Sequence, residues 1–291
     1  MNFDIPLKYN VNMNRLTTER RGQVISCLVE GMSMRAVSRV TGVARNTIDK
    51  LLCELGDACA EYQDHALRNL DCKVIEADEI WAYCYSKAKN VPDEYQDTFG
   101  YGDVWTWTAI DADTKLIPSW LVGERTLADC YTFLADLKTR LKNTRIQLTT
   151  DGLSHYATVA DALWRNNIDF AQLIKVYGSL DSVSPEQRYS PGVCTGTDIR
   201  IMAGNPDPGR ISTSYVERQN LTMRMGMRRF TRLTNAFSKK VENHVASVSL
   251  HVMHYNFGRP HLSLGKRITP AMAAGVADHP WSVWEIAGLL D

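Results

Sequence analysis

KVIEADEIWAYCY, residues 73–85, is a run of β-branched, aromatic and small apolar residues with three acids set into it. Val74, Ile75, Ile80, Trp81 and Tyr83 favour an extended strand. Strand alternation puts Glu76 and Asp78 on one face and Glu79 on the other. An acid among such apolar neighbours is costly unless it is ion-paired or holds a metal, and Asp78 is the candidate ligand of the three.

Working outward, a polar loop occupies 86–98, and 101–110 alternates strongly. Trp105, Trp107 and Ala109 fall on one side, and Val104, Thr106, Thr108 and Ile110 on the other. Asp111-Ala112-Asp113-Thr114 reads as a turn, and 116–122 as a returning third strand. Residues 126–143 form a helical pattern with Leu127, Tyr131, Leu134, Leu137 and Leu141 on one face. A short strand at 146–150 ends at Asp151-Gly152, a second helix spans 154–166, and a fifth strand spans 168–176. The stretch 177–212, with Pro185, Pro191, Pro206 and Pro208, reads as a loop insertion with room for a short strand at 199–202. Helices then run to about Tyr255. Three meandering strands followed by βαβ units, whose right-handed crossovers add parallel strands, predict an α/β ribonuclease-H-like (retroviral-integrase-like) domain over 71–257.

Upstream, residues 1–14 read as an irregular leader, and 15–70 as an all-α helix-turn-helix domain with a linker helix. Thr17 or Thr18 caps a first helix bearing Val24, Ile25, Leu28 and Val29, which Gly31 stops. Ser33 caps a short second helix, and Thr41-Gly42-Val43 turns into a third carrying Ile48, Leu51, Leu52 and Leu55, with Gly56 near its end. In this motif the first turn of the last helix faces base edges in the major groove, which assigns Arg45, Asn46, Thr47 and Lys50 to DNA. The competing reading of this trio is a plain three-helix bundle. Residues 258–291 form a C-terminal tail in which Trp281 and Trp284 pack against the body or a second subunit.

The formal net charge is zero, which argues against strong phosphate binding by the chain as a whole. Locally the charges segregate. Arg218, Arg224, Arg228, Arg229, Arg232, Lys239 and Lys240 fall in one acid-free run, whereas 76–136 is acid-rich. Acids for a metal and cations for phosphates suit a metal-using DNA enzyme. The seven cysteines form no C-x-x-C pair and are odd in number, so neither a zinc ribbon nor a disulfide framework is expected. No apolar run is long enough to span a membrane, and the first residues lack the pattern of a signal peptide, so a cytoplasmic, nucleoid-associated protein is the expectation.

Phosphodiester chemistry uses divalent ions held by a few carboxylates that converge from rigid elements. In the predicted topology the points of convergence are the middle of the first strand, the end of the fourth, and the helix after the long loop. Asp78, Asp151 and Glu217 occupy them. Asp111 and Asp113 are rivals, but they sit where a turn needs Asp anyway. Helical spacing sets Glu217, Asn220 or Leu221, Arg224 and Arg228 along one face, and Asn220 is assigned to DNA together with Arg218, Arg224, Arg228, Arg229, Arg232, Lys239 and Lys240. A helix expected from Phe237 to Tyr255 carries an apolar stripe of Phe237, Val241, Val245, Val248, Val252 and Tyr255 flanked by His244 and His251. These two and the nearby His254 and His261 read as packing residues, the alternative being that one orients the attacking water or hydroxyl.

At Asp78-Glu79-Ile80-Trp81, Thr150-Asp151-Gly152 and Glu217-Arg218-Gln219-Asn220, followed by Arg228 and Phe237-Ser238-Lys239-Lys240, the sequence resembles bacterial insertion-sequence transposases of the DDE type, most closely the insertion-sequence-one family. The resemblance covers residues 15–275. It implies that Asp78, Asp151 and Glu217 are the metal-binding triad for two Mg2+ or Mn2+ ions. It further implies that element ends in double-stranded DNA are cleaved by water, that the freed 3′-hydroxyl attacks target DNA, and that the protein acts as a homodimer or larger homo-oligomer. The zinc ribbon with which that family often begins is missing here. The tail, with Asn256, Arg259, Pro260, His261, Thr269 and Pro270, also resembles that of retroviral-integrase-like transposases. The rival function is a helix-turn-helix regulator whose ribonuclease-H-like domain is inactive. A third possibility is a nuclease of this fold without joining activity.

Overall fold

The computed structural model describes residues 15–177, 194–231 and 235–291. Its centre is a six-stranded sheet in the order β3-β2-β1-β4-β5-β6. β1 (Val74–Cys84), β2 (Gly102–Asp111) and β3 (Trp120–Gly123) form an antiparallel meander. β4 (Gln147–Thr150) pairs in parallel with β1, and β5 (Asp169–Tyr177) in parallel with β4. The crossovers are α4 (Leu127–Arg140) and α5 (Ser154–Trp164). This is the mixed α/β sheet of the ribonuclease-H-like plan.

Strand alternation sorts the two faces of the sheet. Ile75 and Ala77 of β1, with Trp107 and Ala109 of β2, belong to one core with Phe133, Leu134 and Leu137 of α4 and Tyr156, Val159 and Trp164 of α5. Ile80 and Ala82, on the opposite face, belong to a second core with Met223 of α6 (Ser214–Gly226) and Val248 and Val252 of α7 (Val241–Met253). Glu76 and Asp78 lie on this second face, toward α6.

The first two of the three N-terminal helices begin at side-chain caps, whereas the third starts at Ala44 without one. Thr17 caps α1 (Thr18–Val29), and Ser33 caps α2 (Met34–Thr41) by accepting from Ala36 N. Gly42, at φ +69°, ends α2 in the left-handed region. α3 (Arg45–Ala66) does not stop near Gly56. It runs ten residues further and packs along α7, where a Cβ on Gly56 would lie 2.5 Å from Ala246 Cα. The glycine serves a helix crossing rather than a helix end. Val24, Val37, Val43, Ile48 and Leu51 make a small core of their own.

Two further expectations change. Residues 194–203, placed in the loop insertion, form a full edge strand, β6 (Cys194–Ala203), antiparallel to β5. Nearly all of β6 is exposed on both faces, and in the sequence only Ile199 and Ile201, alternating with Asp198 and Arg200, mark it. Pro185 and Pro191 of the insertion lie outside the described residues. The last long helix starts at Val241, not Phe237, and Phe237 instead stacks on Tyr83 at 5.0 Å. The C-terminal tail packs on the body: Trp281 lies against Tyr62 and Phe257, and Arg21 of α1 donates to Ala287 O in the C-terminal helix Val283–Gly288. Among the described residues, no helix is long and apolar enough to cross a membrane.

Candidate metal centre and nucleic-acid surface

β1 and β4 are in register with Ala77 opposite Thr150. Asp78 and Asp151 are each the next residue, so the parallel pairing sets them side by side at the point where β4 ends. With Glu79 they form a group in which one carboxylate oxygen from each residue lies within 4.8 Å of the others. Glu79 reaches the group from the other face because β4 has ended there and no longer separates the faces.

Burial raises the pKa of Asp78 to about 7, and the Glu79 and Asp151 carboxylates add to the rise. Glu79 is also raised by burial, although Arg125 opposes the shift. Arg125 donates to Glu79 Oε1 through Nε at 2.8 Å, and its guanidinium lies over the Trp105 ring at 4.7 Å. Its Nη2 is also 3.9 Å from Asp151 Oδ2. The Tyr156 hydroxyl donates to Glu79 Oε2 at 3.1 Å. Asp151 Oδ1 accepts from Leu153 N at 3.0 Å, the local bond of an Asp at a turn.

Glu217 lies in the first turn of α6, the helix that follows the loop insertion. Its Oε1 accepts from Thr213 Oγ1 at 2.8 Å, and its other oxygen is ion-paired with Lys175 of β5. Its charge contributes to raising Asp78, yet it is not one of the three grouped acids. The structure therefore brings Asp78 and Asp151 together with Glu79, and holds Glu217 to one side on Lys175.

The roles of two residues between β1 and α6 escaped the sequence reading. The N-cap Thr213 makes no side-chain cap bond. Glu76 caps the helix instead, from β1: its Oε2 accepts from Tyr215 N at 2.7 Å and Val216 N at 3.0 Å. Farther along α6, Asn220 Nδ2 donates to Asp78 Oδ2 at 2.8 Å. The available signal was the i, i+2 spacing of Glu76 and Asp78 on one face. The rival Asp111 is a turn residue, its Oδ2 accepting from Thr114 N and Oγ1.

The donor set fits a hard divalent cation. It is entirely carboxylate and amide oxygen, and two oxygens flanking Asp78 are buried without a hydrogen-bond partner: Asn220 Oδ1 and Thr108 Oγ1. No histidine joins the group. His244 pairs with Ser238 Oγ, and His251 Nε2 with Gln219 Nε2.

The residues assigned to DNA divide by position. Arg45, Asn46, Thr47 and Lys50 are exposed on the first turns of α3. Arg218, Arg228, Lys239 and Lys240 are exposed too. Arg35, Arg45, Asn46, Arg228 and Lys239 line one cleft of about 840 Å³, so the start of α3 and the segment after α6 face the same space. Two of the assigned residues turn inward. Asn220 meets Asp78, and Arg229 donates to Ser238 Oγ at 2.8 Å, where desolvation lowers its pKa. α6 ends at Gly226, so Arg228 belongs to the following 3-10 turn rather than to a continuous basic helix. Arg224 lies in the last turn of α6, and Arg232 falls outside the described residues.

No protein-family model and no curated protein matches the chain. Among solved structures it is similar to a chain of the piggyBac transposase synaptic complex with hairpin DNA, at 10% identity and a TM-score of 0.45, covering 94% of this chain and 69% of that one. It is also similar to a chain of a pre-cleavage Mos1 transpososome, at 13% identity and a TM-score of 0.24, covering 58% of this chain and 61% of that one. A Mos1 mariner paired end complex with Mn is similar at 11% identity and a TM-score of 0.25, over 86% of this chain and 79% of that one.

Proposed function

We propose that the chain is a DDE-type DNA transposase, which cleaves transposon ends by metal-dependent hydrolysis and transfers the freed 3′-hydroxyl to target DNA. The observation that carries this reading is the convergence of Asp78 and Asp151 at the end of β4, with Glu217 one helix away and oxygen donors throughout. Asp78, Asp151 and Glu217 would hold two Mg2+ or Mn2+ ions, Glu217 after leaving Lys175. The ions, when bound, supply electrostatic stabilisation of charge on the reacting phosphate.

The chain's own residues do the rest. Burial of Asp78 and Glu79 keeps bulk water from screening that part of the site. Arg125 and Tyr156 hold Glu79 in place beside the two aspartates. Glu76 fixes the start of α6 against β1 and so sets where Glu217 stands.

Residues 15–70 act as the helix-turn-helix domain, with Arg45, Asn46, Thr47 and Lys50 reading the terminal repeats in double-stranded DNA. Arg218, Arg224, Arg228, Arg232, Lys239 and Lys240 track phosphates of end and target. The shared cleft supports the two surfaces acting on one duplex. The protein pairs two ends as a homodimer or larger homo-oligomer. The motif blocks at Asp78, Asp151 and Glu217 point to the insertion-sequence-one family.

The test uses purified protein with Mg2+ or Mn2+ and labelled duplexes carrying the DNA that flanks the coding sequence. The expected products are 3′-end nicks and joined strands. Asp78→Asn, Asp151→Asn and Glu217→Gln each abolish both while sparing DNA binding. Metal-dependent cleavage that survives all three substitutions ends the triad assignment. Binding without any cleavage by the native protein favours the helix-turn-helix regulator.

A further inference from the structure

Asp78 is flanked by two polar side chains whose oxygens have nothing to bond. Thr108 sits directly opposite it on β2, so the two side chains share a face of the sheet. Asn220 approaches from α6 and is only 5% exposed. Its amide nitrogen is used on Asp78 Oδ2. Its Oδ1 is left buried without a partner, as is Thr108 Oγ1. Amide dimensions keep Asn220 Oδ1 within about 5 Å of Asp78 Oδ2. Buried acceptors without partners are rare in folded proteins, and a pair of them on either side of one carboxylate calls for an occupant.

We propose that Asn220 and Thr108 belong to the divalent-cation site. Asn220 orients Asp78 through its N–H, and the two free oxygens take up waters of the bound cation. The inference rests on the metal-dependent reading above. Magnesium and manganese retain several waters when carboxylates bind them, and those waters donate hydrogen bonds outward. Both free oxygens belong to side chains that adjoin Asp78, Thr108 across the β1–β2 pairing and Asn220 from α6, and Asp78 is grouped in turn with Glu79 and Asp151. Asn220 is thus a positioning residue of the site rather than a DNA contact.

The experiment is a titration of the full-length chain with Mn2+ alone, following free Mn2+ by electron paramagnetic resonance, alongside binding of a random-sequence duplex without metal. Asn220→Ala is expected to weaken Mn2+ binding about 10- to 100-fold and to leave metal-free duplex binding unchanged. Thr108→Val, which keeps the shape and removes the hydroxyl, weakens Mn2+ binding, and Thr108→Ser restores it. Should Asn220→Ala fail to fold, the Thr108 pair decides. A folded Asn220→Ala with native Mn2+ affinity, or Thr108→Val equal to Thr108→Ser, overturns the inference. So does a loss of duplex binding by Asn220→Ala with Mn2+ binding intact, which returns the residue to the DNA face. Asp78→Asn separates the two levels: if it loses Mn2+ while the Asn220 and Thr108 variants do not, only this inference fails. If Asp78→Asn keeps native Mn2+ affinity, the metal-dependent reading itself fails.

Discussion

Lys175 of β5 is ion-paired with Glu217 of α6, and that pair holds Glu217 away from Asp78, Glu79 and Asp151. Both side chains are about a third exposed, at 34% and 38%, so the pair adds little to stability, about 0–1 kcal/mol. Its consequence is positional. Lys175→Met frees the carboxylate, and Mn2+ affinity is expected to rise several-fold while the melting temperature hardly moves. Manganese titration and calorimetry on the same preparation check this. Unchanged Mn2+ affinity would show that Glu217 takes no part in holding the cation.

Glu76 is a buried carboxylate, 1% exposed, whose work is to bond two N–H groups at the start of α6. Burial raises its pKa, and the two backbone bonds pull the other way. Removing the acceptor strands one buried donor, Val216 N, at a cost of about 1–3 kcal/mol, and one half-buried donor, Tyr215 N, at a smaller cost. Glu76→Ala is expected to destabilise the fold by a few kcal/mol in urea unfolding. Glu76→Gln keeps one acceptor oxygen and loses less. Equal stability of all three proteins would remove Glu76 as the anchor of α6.

How far the sequence speaks differs from residue to residue, and the range of the deciding interaction explains the difference. Ser33 and Gly42 are legible because a cap and a left-handed turn are local needs. β1 and β2 are legible because each alternates between two buried faces. β6 is legible only around 199–202, since both of its faces are exposed and only Ile199 and Ile201 alternate with polar neighbours. Asp78 and Asp151 could be paired from topology, because parallel register carries one to the other. Glu79 could not, because its place in the group depends on β4 ending at Thr150. Asn220 looked like one more polar residue on a basic helix, and only the packing of α6 on β1 turns it toward Asp78.

The histidines give the fold an acid sensitivity of definite sign. Burial lowers the pKa of His244 and of His251 to about 3 each, with Arg229 adding to the effect on His244, and His254 and Arg259 to that on His251. In the unfolded chain both titrate near 6.5. Between about pH 6.5 and pH 3 the unfolded state therefore binds protons that the native state refuses. Stability falls as pH falls, by about 1.4 kcal/mol per pH unit for each histidine. Asp78, raised to about 7, acts in the opposite sense, so the slope of the native protein is a sum of opposing parts. The readout is a difference: His251→Gln is expected to lose less stability than the native chain between pH 6.5 and pH 5, by urea unfolding at matched pH. Identical slopes would mean that His251 takes up its proton in the native state as readily as in the unfolded chain.

The crossing of α3 and α7 depends on Gly56 having no side chain. A Cβ there would lie 2.5 Å from both Cα and Cβ of Ala246, and 3.0 Å from its carbonyl oxygen. Ser249 Oγ, one turn farther along α7, donates to Gly56 O at 2.6 Å, so the two backbones are also tied at this point. On an isolated helix, Gly56→Ala would stabilise by up to about 1 kcal/mol, because glycine is the poorer helix former. In this protein the helices must separate to admit the methyl group, at a cost of about 1–3 kcal/mol. Packing wins, and Gly56→Ala is expected to lower the melting temperature by several degrees. Ala246→Gly, which removes one of the two clashing atoms, should recover part of that loss when combined with it. A double-mutant cycle on thermal unfolding measures the coupling, and a coupling of zero would place the two residues out of contact.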